Sequence, residues 1–140
     1  MHLNRNLNWL YWAIRLGMAF IWIWTAVVSW FIYPEAESLN WLRRLGLTSS
    51  TQIWFTAACF LDFAIGIASA LFASHRLWQA QLILVGFYSL AVSISLPEFL
   101  IHPFGPITKN IAVVGCLFYL TIYEGLRIQS VDQHNDRSTS

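Results

Sequence analysis

Apolar residues run without a charge from Leu16 to Pro34, and the apolar character reaches back past Arg15 to Trp9. At about 1.5 Å per helical residue this stretch covers a hydrocarbon core of roughly 30 Å, which predicts a first membrane span over about 9–33. The run is longer than the apolar segment of a signal peptide, is rich in tryptophan and has no clear small-residue cleavage site, so it is expected to be retained. A second stretch, 51–73, is broken only by Asp62 and closes at Ser74-His75-Arg76. The third, 77–96, carries no formal charge and stops at Pro97-Glu98, where proline disfavours helix for the residue before it. The fourth covers about 107–126, and the polar residues 129–140 after it are expected to form a disordered tail. Residues 1–128 thus make one domain of four crossings, which puts both termini on one side.

The connections differ. Between the first two spans, Leu39, Leu42 and Leu45 alternate with Arg43 and Arg44, a short amphipathic pattern suited to a helix lying in the interface. Before the fourth span, three prolines and a glycine stand among strong apolar residues in Pro97-Glu98-Phe99-Leu100-Ile101-His102-Pro103-Phe104-Gly105-Pro106, the mixture of a partly buried or re-entrant loop. The fold class is therefore all-α, a four-transmembrane-helix bundle with an interfacial helix after the first span and a Pro-rich loop before the fourth.

Composition removes the competing classes. Hydrophobic residues make up 57% of the 140 and charged residues 11%, where an ordinary soluble chain carries about 25% charged residues. Disorder is excluded by that balance and a water-soluble fold is improbable, while a net charge of +1 offers no basic field for nucleic acid. The bilayer is the implied partner. Cys59 and Cys116 lie in separate apolar stretches and form no disulfide framework. Arg5, Arg76, Arg127 and Arg137 flank the terminal side, with Arg15 just inside, against Arg43, Arg44 and Lys109 opposite, a bias toward cytoplasmic termini.

A charge at membrane depth is expensive and marks a candidate functional site. Asp62 falls near the middle of its span and shares a helical face with Cys59, Gly66, Ser69 and Ala73. On the first span Arg15, Ala19, Trp22, Ala26 and Ser29 share a face; Gln81, Tyr88 and Ser95 recur at sevens on the third, and Asn110 and Glu124 are two heptads apart on the fourth. Turned inward, these faces make a polar seam of Arg15, Asp62, Tyr88 and Glu124, in which Arg15 is expected to pair with Asp62 or Glu124. Such a pair either fixes helix register or handles a proton or ligand, and Arg15 has the further option of snorkelling to the headgroups. Opposite the termini, Glu98, His102, Lys109 and Asn110 form either a solvated rim capping the fourth helix or a rigid site for a polar head or quinone carbonyl, with His102 as donor. His2, His75, His102 and His134 lie outside the spans in no metal- or haem-ligand spacing.

Arg15 seven residues ahead of Trp22-Ile23-Trp24-Thr25, Pro34-Glu35-Ala36-Glu37 leading to Leu45-Gly46-Leu47, Leu61-Asp62 with Gly66, and His102-Pro103-Phe104-Gly105-Pro106 followed by Lys109-Asn110 together resemble the DoxX-like family of small bacterial membrane proteins. The resemblance covers about residues 9–126, and the P-F-G-P-x-x-K-N segment is its most specific part. It implies a four-helix protein of the bacterial inner membrane. Relatives of this type include a subunit of a thiosulfate:quinone oxidoreductase and proteins of membrane-associated redox complexes. Family members often carry a lysine soon after the first-span Trp/Thr segment, where this chain has Val28-Ser29-Trp30.

Two functions follow as expectations. The first is a non-catalytic subunit or anchor of a redox or quinone-linked complex, with a membrane-associated oxidoreductase or quinone as partner and with oligomerisation open; no nucleophile–base pair, metal set or dinucleotide loop points to an enzyme acting alone. The second is a small transporter or channel using Asp62 as its proton or cation site.

Overall fold

The computed structural model describes residues 2–96 and 106–139, and the side chains of residues 7–96 and 109–129. The described residues form five α-helices: α1 (His2–Val27), α2 (Glu35–Arg44), α3 (Thr51–Leu71), α4 (His75–Ser95) and α5 (Pro106–Thr139). They contain no strand. Four helical segments are long and apolar enough to cross a membrane: Leu7–Ile32, Thr51–Leu71, His75–Ser95 and Lys109–Gln129. They fall within a few residues of the stretches read from the sequence.

The first crossing finishes differently from its expected plain helix. Val28–Ile32 form a π-helical turn, closed by Tyr33 N–H donating to the Val28 carbonyl at 2.8 Å. That wider turn carries Trp30, whose ring stacks on Phe55 of α3 at 6.4 Å and meets Phe60 edge-on at 5.8 Å.

Helix α2 has acidic residues, Glu35 and Glu37, in its first turn and Arg43 and Arg44 in its last, each complementing the helix dipole. Its end is a Schellman motif: Leu47 N–H donates to the Leu42 carbonyl and Gly46 N–H to that of Arg43, both at 3.0 Å. Gly46 takes φ +92° there, a conformation that a side chain would strain. Tyr33 Oη donates to Glu37 Oε2 at 2.6 Å, and Gln52 Nε2 donates to Glu35, which ties α2 to the start of α3.

Helix α1 packs chiefly against α3 and α4 chiefly against α5, with α1 also touching α5. Although α3 and α4 are joined by only three residues, they share little contact. The core gathers Tyr11, Met18, Trp22, Trp78, Val85, Leu117 and Leu120. Outward faces expose Phe20, Phe60, Ile83, Ile94 and Ile111, side chains that a bilayer solvates. With lipid as apolar as the core, close van der Waals contact must supply the association, and α1 and α3 achieve it at Gly66, over which Ile23 and the Ala19 carbonyl sit. Helix α5 corrects one expectation: it continues to Thr139, so most of the segment expected as a disordered tail is helical. Neither Gly nor Pro follows Gly125, and extending an existing helix avoids the unfavourable nucleation step.

Candidate functional site

Two polar assemblies occupy opposite halves of the bundle. The first, on the side of the termini, is fully knit. Arg15 is buried on α1, and its Nε and Nη2 donate to the Ser69 and Ala70 carbonyls at 2.8 and 2.9 Å. These carbonyls belong to the last turn of α3, where no intrahelical donor follows, and a cation at a helix C-terminus also suits the dipole. The guanidinium lies 4.7 Å from the Trp12 ring centroid. The ion pair expected for Arg15 with Asp62 or Glu124 therefore does not form among the described residues. Glu124 instead accepts from Tyr11 Oη at 2.5 Å and lies 3.8 Å from Arg127.

Deeper in the same half, Trp22 Nε1 donates to Gln81 Oε1 at 2.8 Å, and Gln81 Nε2 donates to Ser69 Oγ at 2.9 Å. Ser69 Oγ in turn donates to the Ile65 carbonyl. One chain of hydrogen bonds thereby joins α1, α4 and α3. Gln81 and Ser69 stood on the polar faces read from the sequence, whereas Tyr11 did not, because only the tertiary pairing with Glu124 gives its hydroxyl a purpose.

The second assembly is a cavity of about 150 Å³ lined by Ile21, Trp22 and Thr25 of α1, Asp62 of α3, Val85 and Tyr88 of α4, and Asn110 and Val113 of α5. All four crossings contribute to it. Asp62 lies eleven residues from Thr51 and nine from Leu71, the two ends of its helix. Its Oδ1 is buried without a hydrogen-bond partner, a condition shared among the described side chains only with Trp78 Nε1 and the Tyr119 hydroxyl. A buried carboxylate oxygen without a partner calls for a functional or solvent explanation. Asn110 is held by its Nδ2 donating to Ser89 Oγ at 2.8 Å, and Thr25 Oγ1 donates to the Ile21 carbonyl at 2.8 Å. Among the described residues, their remaining lone pairs and Asn110's second amide hydrogen have no further partner.

A larger cavity, about 240 Å³, lies between α1 and α3 against Ala26, Val27, Trp30, Phe31, Cys59, Phe60 and Phe63. Its apolar, aromatic walls lack the convergent polar groups of a specific site, so the smaller cavity is the candidate.

Of the eight residues singled out from the sequence, Asp62, Tyr88 and Asn110 meet in that cavity. Arg15 and Glu124 belong to the terminal-side assembly, and Lys109 is exposed. Glu98, His102 and the Pro-rich connection from 97 to 105 lie outside the described residues. Trp22 stands on the inward face read for the first span, and Trp22 and Thr25 both belong to the segment that carries the family resemblance, but neither is a site residue in the sequence reading.

Residues 19–118 match the sequence profile of the DoxX-like family. No curated protein matches the chain, and no solved structure does.

Proposed function

This chain belongs to the DoxX-like family, and from that premise we propose that it is a non-catalytic subunit or anchor of a redox complex in the bacterial inner membrane, binding the head of a quinone-like molecule at Asp62. The observation that carries the reading is the 150 Å³ cavity shared by four crossings. A cavity of about that size has room for a single aromatic ring. Trp22, Val85 and Val113 offer the faces for a ring, and Tyr88 and Asn110 offer donors for its carbonyl oxygens. Bound there in place of water, a quinone would supply two-electron redox chemistry; this chain's part is to orient the ring. In the same reading α2 lies in the interface, the termini are cytoplasmic, and Glu98, His102 and Lys109 meet the partner or the ligand's entry.

Purification in mild detergent followed by mass spectrometry of extracted lipids and co-eluting proteins tests the proposal. A quinone at about one per chain is expected together with an oxidoreductase subunit. Val113→Phe, which fills the cavity, is expected to lose the quinone while keeping the protein's elution profile. Quinone no richer than in bulk membrane lipid, or undiminished in the Phe variant, counts against the reading.

A second reading, a small transporter with Asp62 as proton or cation site, is favoured by the unpartnered Oδ1. It predicts that Asp62→Asn abolishes ion coupling in proteoliposomes while abundance stays near wild type. A fall in abundance without a flux defect assigns Asp62 to structure alone.

A further inference from the structure

The cavity is placed asymmetrically along the membrane normal. Its α1 residues lie in the half of Leu7–Ile32 away from the N-terminus, and Asn110 is the fifth residue of α5. Ile21, Trp22, Val85 and Val113 mark its inner end, and Asp62, one turn from Gly66 on the side away from the termini, stands beyond them. From the inner end toward the termini, the bundle is closed. Trp78, Leu117 and Leu120 are 0% exposed and Met18 is 1% exposed, and the Trp22–Gln81–Ser69 hydrogen bonds cross the interior at this level. One half of the bundle thus has a closed interior, and the other holds room for several waters, each of which needs about 10–15 Å³. Water is the natural partner for Asp62 Oδ1.

We propose that this cavity is a one-sided, water-filled well through which the Asp62 carboxyl exchanges protons only with the aqueous surface opposite the termini. It rests on the reading of Asp62 as a proton site for the exchange itself; water entry and its sidedness rest on the packing. The proton passes between water in the well and the carboxylate, giving the carboxylic acid and returning by the same route. A proton fits this site better than a metal cation. A cation stripped of water needs a cage of about six oxygens, whereas the lining residues bring Asp62, Thr25, Tyr88 and Asn110 among apolar walls. From the packed elements, the titratable neighbours of Asp62 are Cys59, one turn away on α3, and Tyr88 on α4; α1 and α5 present only uncharged lining residues there. Arg15 is engaged with the Ser69 and Ala70 carbonyls, seven and eight residues further along α3 than Asp62.

The test places single cysteines at Val113, Val85 and Leu117 in a Cys59→Ala, Cys116→Ala background of the full chain, reconstituted in vesicles of either orientation. A membrane-impermeant methanethiosulfonate reacts with thiolate, which forms where water reaches the side chain. Val113→Cys and Val85→Cys should be modified at least tenfold faster from the side opposite the termini, and Leu117→Cys from neither side. Modification of the first two from the terminal side, or from neither, overturns the well. Infrared difference spectra with Asp62→Asn separate the two claims. A carboxyl band that is absent in the variant and follows the pH of the open side supports proton exchange. Labelling from the open side with no such band overturns the Asp62 reading and leaves the well standing.

Discussion

Substituting Gly66 by alanine is expected to destabilise the bundle by about 1–3 kcal/mol, the usual cost of overpacking a close contact, and Gly66→Leu to prevent the native packing of α1 on α3. A Cβ at this position would stand 2.5 Å from Ile23 Cγ1, 3.0 Å from the Ile23 nitrogen and 3.1 Å from the Ala19 oxygen. The side-chain contact alone could be relieved by a rotamer change, but two of the three atoms are backbone, so α1 itself must withdraw. This pair of helices forms the most extensive interface of the molecule, and every contact along it loosens together. Gly86 and Gly115 serve as controls, because a Cβ there meets nothing within 4 Å. At those sites alanine removes the glycine penalty of about 0.5–1 kcal/mol in a helix, so stability should be unchanged or slightly higher. Thermal unfolding in detergent and accumulation in membranes measure all three. Equal stability of the Gly66 and Gly86 alanine variants would show that the helices do not approach as described.

How much of this could be read from the residues alone depended on whether a feature belongs to one helix or to two. The inward faces are properties of single helices, and their spacing exposed them: Arg15, Ala19, Trp22 and Ala26 are buried together on α1, and Cys59, Gly66 and Ser69 on α3. Asp62, Tyr88 and Asn110 likewise stood on the polar side of their spans and do share a cavity. Partners are another matter. Charges are visible in a sequence and point Arg15 to a carboxylate, whereas the groups that hold it are main-chain carbonyls, which every residue has and no pattern marks. What distinguishes Ser69 and Ala70 is that α3 ends at Leu71, two residues after the first and one after the second. The bond from Tyr11 to Glu124 joins residues 113 positions apart, a separation over which helical spacing carries no information. The length of α5 and the π-helical turn were missed for a local reason: hydropathy marks where a chain enters lipid, and neither feature changes hydropathy.

Arg15→Leu is expected to lower stability by more than any other substitution in the terminal-side assembly, because it strands two acceptors at once. The Ser69 and Ala70 carbonyls receive their bonds from one guanidinium, and an unpaired buried acceptor costs about 1–3 kcal/mol. Arg15→Lys should fall between Leu and wild type, since an ammonium lacks the planar fork that reaches both carbonyls. The identity of the partners can be checked without a structure. Asp62 is seven residues before Ser69 on the same helix, or about 10 Å along its axis. The stability losses of Arg15→Leu and Asp62→Asn should then add to within about 0.5 kcal/mol in the double variant, as distant sites do. A direct ion pair predicts otherwise: the second substitution would cost little once the first had been made, giving a coupling above about 1 kcal/mol. Additivity places Arg15 with the main chain of α3 and leaves the Asp62 carboxyl to the cavity, while strong coupling would return the charge of Arg15 to the mid-membrane site and remove the ground for treating the two assemblies as independent.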